Sequence, residues 1–543
     1  MGSAAAPAAS AGKATPAPAG IDVASLPCEN PMLLAIGTMT ASLIQILDTT
    51  IANVAIPHMQ SALGATSDEI SWVLTSYIVA VALAMPLTGW LADRVGSRRL
   101  FMGSVAGFVV TSMLCGMAQN VTQMVVFRAL QGATGAFISP LSQSTMIDTN
   151  KPSRQAQMMA IWGMGIMIGP IMGPILGGWL TENWNWRSVF YVNVPLGALA
   201  LAIMAAELPS RPIVRRRFDL FGYALVAVAL TAVQLLLDRG NHVDWFDSGE
   251  IWIYLGVALS CGWVGVIHLA TAPAPLFDRR LFGDGNYVFA LAFTAIVGLV
   301  MFANMALLPP MLQRLFGYGV IDTGMVLMPR GVGTLIAMQF SGWLMRRGHD
   351  PRMAMAVGFV ITGFSLWQMT GWSLAADYQL FATVGFIQGI GLGLVFIPLN
   401  ASAFATLPPE LRTDGASLLN LLRSIGSSVG ISVVITLLAR NVQVSHSDLA
   451  GHVTSSATTL IDISALDRFQ AAGDAALRMI DGEVTRQAGM VAYLDDFKLM
   501  MWLTFATVPF IALMRRADLS TAVRLATARQ QSETDAPPVD LPH

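Results

Sequence analysis

The stretches 89-GWLADRVG-96 and 342-GWLMRRGH-349 spell one turn twice. They align without a gap as Gly89/Gly342, Trp90/Trp343 and Leu91/Leu344, at an offset of 253 residues. The same offset relates 57-PHMQSALG-64 to 310-PMLQRLFG-317, through Pro57/Pro310, Gln60/Gln313 and Gly64/Gly317. Gln131-Gly132 and Gln388-Gly389 follow after a small change in length. One such match is chance, whereas an ordered series at nearly constant spacing marks a duplication.

What is duplicated is a set of membrane helices. Of the 543 residues, 54% are hydrophobic and only 12% are charged, against roughly 25% charged in soluble domains. Fourteen apolar runs, near 32–56, 70–91, 100–118, 122–147, 156–180, 187–206, 218–237, 250–271, 286–309, 323–344, 352–373, 378–402, 414–439 and 497–514, are long enough to cross a hydrocarbon core of about 30 Å. Backbone in lipid must satisfy its own hydrogen bonds, so each run is a helix. The expected fold is all-α and transmembrane, fourteen helices as two six-helix bundles (31–208 and 273–516) with two linker helices between them (209–272). Segment 441–496 is expected as a loop before the last helix. The ends, 1–30 and 517–543, are rich in small and polar residues, have no signal-peptide core, and are read as tails.

Lys and Arg cluster at 94-RVGSRR-99, 211-RPIVRRR-217, 279-RR-280, 346-RRGHDPR-352 and 515-RR-516. All fall on one side if the N-terminus is cytoplasmic, which is the positive-inside pattern and places both termini in the cytoplasm. Cys28, Cys115 and Cys261 are too scattered to imply a disulfide. There is no G-x-x-x-x-G-K-[ST] loop for a nucleotide and no His/Cys cluster in the sequence to mark a metal site, and one sequence supports no claim of a Ser/His/Asp constellation. Neither an enzyme nor a cofactor is expected, nor a metal or nucleic-acid partner. Parallel six-helix repeats around a central site are a transporter plan.

Charges inside apolar runs are expensive and mark function. Asp48, in 47-LDTTIANVAIP-57, lies past the middle of the first span, and Arg128, in 127-FRALQGATGA-136, lies inside the fourth. Burial raises a carboxyl pKa and a nearby arginine lowers it, so a carboxylate whose surroundings alternate can load and release a proton. The competing reading makes Asp48 a structural carboxylate capped by Thr49, Thr50 and Asn53, and lets Arg128 snorkel to the interface. Arg330 and Arg423, in the tenth and thirteenth spans, are either cations facing a cavity or structural clamps.

Other positions follow from spacing. In 165-GIMIGPIMGPILGG-178, Gly165, Gly169, Gly173 and Gly177 recur every fourth residue and make one face that admits close packing, with Pro170 and Pro174 able to bend the helix. In the turn after the second span, Gly89 allows close approach, Gly96 a tight turn, and Asp93 awaits an arginine or a helix N-terminus, with Arg94 and Arg98 beside it. Asp148 is a candidate partner for Arg94 or Arg98. Cavity candidates are Gln45, Asn53, Gln131, Gln143, Trp162, Met164, Asn304, Arg330, Gln339, Gln388, Asn400 and Arg423. The 31 Met and 25 Phe suit adaptable binding of apolar compounds, and equally suit a membrane core.

These motifs, together with 234-QLLLDRGNHVDWFDSGEI-251 and the 441–496 insertion, give a chain that over about 32–515 resembles the 14-helix drug:proton antiporter branch of the major facilitator superfamily, and within it the EmrB-type multidrug exporters. The resemblance implies proton-coupled export of hydrophobic and amphipathic compounds, with Asp48 and Arg128 in proton coupling. It makes Gly89, Asp93, Arg94, Gly96 and Arg98 a gating loop, and Gly165 to Gly177 with Pro170 and Pro174 an antiporter signature. It further implies the bacterial inner membrane and a tripartite pump with an EmrA-like periplasmic adaptor and a TolC-type outer-membrane channel. The insertion, with its amphipathic stretch 464–480, is a candidate adaptor-docking segment. Rival expectations are an exporter of one natural compound, such as a siderophore, fatty acid or metabolite, and a membrane sensor that no longer transports.

Overall fold

A computed structural model describes residues 24–26, 28–211, 213–214, 216–240, 243, 245–452 and 470–514. Tail positions 1–23 and 517–543, the 515–516 cluster and the first part of the expected amphipathic stretch lie outside these residues. Among the described residues every regular element is helical. The first six crossings are α1 (Pro31–Leu63), α2 (Ser67–Ala84) continuing through a 3-10 turn into α3 (Thr88–Val95), α4 (Ser97–Met117), α5 (Val121–Gly135) with α6 (Ile138–Asp148), α7 (Pro152–Asn183), and α8 (Ser188–Tyr191) with α9 (Asn193–Glu207). Then come α10 (Leu220–Arg239) and α11 (Gly249–Thr271), and, after the single turn α12 (Arg280–Gly283), the last six: α13 (Gly285–Leu315), α14 (Val320–Arg346), α15 (Pro351–Met369), α16 (Tyr378–Ala405), α17 (Arg412–His452) and α18 (Gln470–Ile511).

Fourteen crossings therefore match the fourteen apolar runs. Ten helical stretches pass a test of length and hydropathy alone; those that do not are the fourth, tenth, eleventh and last crossings, and the fourth and tenth hold Arg128 and Arg330. Helix starts are capped as their sequences demand. Thr66 and Glu69 form a reciprocal capping box on α2, and Asp219, Asp284, Asp350 and Asp377 cap α10, α13, α15 and α16. Two repeat-related glycines, Gly64 and Gly317, follow α1 and α13 at φ 63° and 72°, a left-handed conformation that side chains resist. Segment 441–496 differs from expectation, because its described part is helix: α17 runs on to His452 and α18 starts at Gln470.

The first six crossings pack among themselves, as do the last six, and α7 runs along α14 between the two sets. α10 and α11 pair with each other, and α10 also touches α2 and α17. Through Tyr223 it reaches the Leu83 carbonyl (3.2 Å), and Ser432 of α17 donates to the Leu237 carbonyl (2.7 Å). α11 exposes Trp252, Ile253, Leu259 and Trp263, an apolar band that a bilayer covers.

The core is asymmetric along the membrane normal. At the end bearing the basic loops, one apolar cluster spans both bundles, joining Leu34, Met146 and Trp162 to Met338, Ile397 and Leu419. At the opposite end it divides. One cluster, with Leu47, Ile51, Met59 and Val73, belongs to the first bundle; another, with Leu307, Met311, Trp372 and Phe497, belongs to the second. The apolar core is shared at the basic face and divided towards the other, where α7 and α14 still meet at Ile175 and Gly324.

Candidate functional site

Asp48 lies midway along α1 with 1% of its surface exposed. Three donors meet its carboxylate: Arg128 Nη1 at 2.6 Å from α5, Gln131 Nε2 at 2.9 Å one turn further, and Asn193 Nδ2 at 2.9 Å from the start of α9. Arg128 is wholly buried. It also donates to Gln131 Oε1 (2.8 Å) and to the Val73 carbonyl (3.3 Å), with its guanidinium 4.5 Å from the Tyr77 ring centroid and 5.7 Å from that of Phe190. Ser112 of α4 accepts from Asn193 (2.9 Å) and donates to the Phe190 carbonyl. Charge-assisted bonds of this length are strong, and the set leaves the carboxylate satisfied in its ionised form. Arg128 therefore does not snorkel. Thr49 and Thr50 do not cap Asp48 either, since each donates back to its own helix, at Ile46 and Leu47 carbonyls, and Asn53 is exposed.

The glycine face of α7 lies against this stretch of α1. A Cβ on Gly165 would strike Met39, on Gly169 Ile46, on Gly173 Thr50, and on Gly177 the Ile51 carbonyl and Val54. The four-residue spacing thus seats α1 around Asp48, backbone to backbone. Pro170 and Pro174 lie inside the same helix. The other side of α7 meets the second bundle, where Gly163 abuts Met338 and Ile397, and Ala160 abuts Gly342.

At the basic face the connection between the bundles acts as a strap. Arg216 forms an ion pair with Asp93 (3.1 Å) and a two-pronged pair with Asp414 of α17 (2.9 and 3.0 Å). A Cβ on Gly89 would collide with that Asp414 carboxylate, so the glycine is what lets α17 close on α3. Gly96 turns the chain at φ 96°. Arg94 stacks on Trp90 (5.5 Å), and Arg98 donates to the Ala205 carbonyl (2.6 Å). Asp148 does not meet Arg94 or Arg98. It pairs with Arg211 and with Arg412 (3.0 Å), and its carbonyl accepts from Leu26 N (2.9 Å). Sequence spacing favoured the nearer loop, but Asp148 closes instead against the strap and the other bundle.

The cavity candidates separate into groups. Gln131 belongs to the Asp48 site. Gln143 Nε2 reaches Asn400 Oδ1 (2.5 Å) and Gln143 Oε1 accepts from Asn420 (2.8 Å), a buried clasp across the bundles onto which Arg423 adds a bond to Asn420 (3.3 Å). Gln45 accepts from Ser139 (2.7 Å) and Trp162 donates to Ser142 (2.6 Å), both buried. Asn304 and Arg330 meet at 3.5 Å. The Gln388 amide is buried and has no hydrogen-bond partner among the described residues. Asn53 and Gln339 are exposed, Gln339 lying 3.1 Å from the Met164 sulfur. These side chains do not line one open chamber; at the midplane they fill the space between the bundles. Arg330 and Arg423 have no ion pair among the described residues, Arg423 resting instead 4.9 Å above the Phe396 ring. Asn193, Ser112, Tyr77, Arg211, Arg216, Arg412 and Asp414 are the contributors that sequence reading missed.

The arrangement sets a buried carboxylate among three donors and ties the bundles together by ion pairs at the basic face. Comparison with known proteins gives the family. The Major Facilitator Superfamily model matches residues 38–431. Fatty acid resistance protein FarB of Neisseria gonorrhoeae is 34% identical over 88% of this chain and 94% of its own length. Multidrug export protein EmrB of Escherichia coli K12 is 33% identical over 78% of this chain and 83% of its own. In fold, the chain resembles the human organic anion transporter MFSD10 (TM-score 0.55, 14% identity, covering 87% of this chain and 99% of that one). The chain is a multi-pass membrane transporter that belongs to the major facilitator superfamily, with EmrB-type multidrug exporters among its relatives.

Proposed function

We propose that the chain is a proton-driven exporter of hydrophobic and amphipathic compounds that works by alternating access. The basic face is cytoplasmic, by the positive-inside rule, and the membrane is the bacterial inner membrane. The observation that carries the reading is the buried Asp48–Arg128 pair. In the present state the cytoplasmic face is strapped shut, and the apolar core is divided towards the outer face. A proton arriving at Asp48 from the outer side cancels its charge and frees Arg128 to seek other partners. α1 then loses its tie to α5 and α9 and moves against the glycine face of α7, which itself borders the second bundle. Release of the proton towards the cytoplasm restores the pair. The energy available is large, because an arginine left buried without its carboxylate costs several kcal/mol.

Two finer points belong to the same reading. Arg330 and Arg423 lack ion pairs, which favours compounds carrying an acidic group and gives weight to a narrow natural substrate; the name of the fatty acid resistance relative points the same way. Assembly with a periplasmic adaptor and an outer-membrane channel follows the EmrB likeness, and the outward extensions of α17 and α18 are the surfaces for it.

The test uses purified protein in liposomes under an imposed pH gradient, following a lipophilic dye and a fluorescent fatty acid. Wild type is expected to move at least one of them uphill, and Asp48→Asn neither. Uphill transport by Asp48→Asn places the proton site elsewhere. Dye transport without the fatty acid favours broad specificity, and the reverse favours the narrow one.

A further inference from the structure

Asp48 is not the only carboxyl buried in this protein. Asp496 lies on α18 in the second bundle with 1% of its surface exposed. Among the described residues neither of its oxygens has a hydrogen-bond partner. Its helix neighbours Tyr493, Phe497 and Met500 belong to the apolar cluster of that bundle, and Phe497 packs edge-on against Trp372 (5.7 Å). Where Asp48 has three donors, Asp496 has none.

The charged groups nearby do not compensate. On its own helix, Asp495 is exposed and of the same sign, Lys498 is exposed and turned away, and Glu483 is paired with Arg486. α13 brings Arg314, which is exposed and acts on Tyr493. On α17, Arg440 is exposed and His446 pairs with Asp481. On α15 the charged residue is Arg352, at the far end and held by Asp350. An ionised carboxylate in such a place is far costlier than a protonated one.

A cavity lies beside this stretch of α18. It has a volume of about 400 Å³ and opens between α13, α17 and α18, with Arg314 and Arg486 on its rim and Tyr493 and Gly489 in its wall. Tyr493 precedes Asp496 by three residues and shares its helix face, so a residue of the cavity wall lies one helical turn from Asp496 along α18. The cavity is at the face opposite the basic loops.

We propose that Asp496 is a second proton-binding site, occupied by a proton in this conformation and exchanging it with the outer face through the α13–α17–α18 cavity. The site is independent of Asp48 and goes beyond the proposed antiport step. It gives the second bundle a proton of its own, which alters how many protons one transport cycle can carry.

Infrared spectroscopy of the full-length protein in nanodiscs at neutral pH tests this. The protonated-carboxyl C=O band is expected in wild type and in Asp48→Asn, and lost in Asp496→Asn. If Asp496→Asn fails to fold, Asp496→Glu keeps the carboxyl and is expected to shift the band. A band unchanged by either substitution, or absent from wild type, overturns the assignment. On transfer to D2O the band is expected to shift promptly. A band that resists exchange until the protein is unfolded overturns the outer route.

Discussion

The two turns that reveal the duplication can be compared atom by atom. In each, a glycine faces the other bundle: Gly89 meets Asp414 of α17, and Gly342 meets Ala160 of α7. In each, an arginine lies over the preceding tryptophan, Arg94 on Trp90 at 5.5 Å and Arg347 on Trp343 at 4.0 Å. The charge between them is reversed. Asp93 receives Arg216 from the strap, whereas the equivalent Arg346 is exposed and reaches Gln157 (3.1 Å). The bundle interiors differ likewise, with the Asp48–Arg128 ion pair in the first, and Arg330, Arg423 and Asp496 without ion pairs among the described residues in the second. Duplication kept the close approach of a glycine in each turn to the other bundle. It did not keep the charges, so each half now carries a different electrostatic task.

The largest expected effect separates the interiors. Arg128→Met leaves Asp48 buried without its cation and is expected to lower stability by about 3–5 kcal/mol. Arg423→Met removes a half-buried cation that has no counter-ion among the described residues, and is expected to leave stability within about 1 kcal/mol of wild type or raise it. Thermal unfolding of both variants in the same detergent measures the contrast. Equal losses would mean that the second bundle's arginine is as well compensated as the first's, and the comparison fails.

How much of this could be read from residues alone follows the same division. Repeats, spans and the glycine face of α7 were legible because they are periodic, and backbone packing leaves a period. Asp48 and Arg128 were legible because ionised groups stand out in apolar runs. Their neutral partners were not: Asn193 in 191-YVNVP-195 looks like a turn residue, and neither charge nor period distinguishes it. Asp148 was assigned to the wrong arginines because sequence distance says nothing about which loop folds beneath a helix end. Asp496 was missed for a simpler reason. With the last span begun at 497, it fell one residue outside, where a carboxylate reads as solvated; α18 in fact passes through it unbroken.

The next effect concerns the strap. Arg216→Gln removes the link between Asp93 and Asp414, whose side chain is only 4% exposed, and is expected to favour opening of the basic face by about 1.4 kcal/mol, roughly tenfold in population. A cysteine at Ser417, which is buried and bonded to the Met85 carbonyl (2.6 Å), reports it: alkylation by a hydrophilic maleimide should rise about tenfold with Arg216→Gln. The repeat-related Arg346→Gln should leave the rate unchanged, since an exposed polar contact contributes little. A rise with both would show that closure of the basic face is shared by the two turns.

The smallest effect tests what the halves retain in common. Gly64 and Gly317 are equivalent in the repeat, take φ values of 63° and 72°, and have no atom within 4 Å of a built Cβ. Space is therefore not the constraint at either site, and backbone strain alone opposes a side chain. Gly64→Ala and Gly317→Ala should each cost about 1 kcal/mol, and unfolding in parallel should not distinguish them. Asparagine, which tolerates the left-handed region better than alanine, should recover part of the loss at both. A cost at one position only would mean that the two turns have diverged in backbone as well as in charge. Equal costs would confine the divergence between the halves to side chains, which is where proton and substrate would have to be told apart.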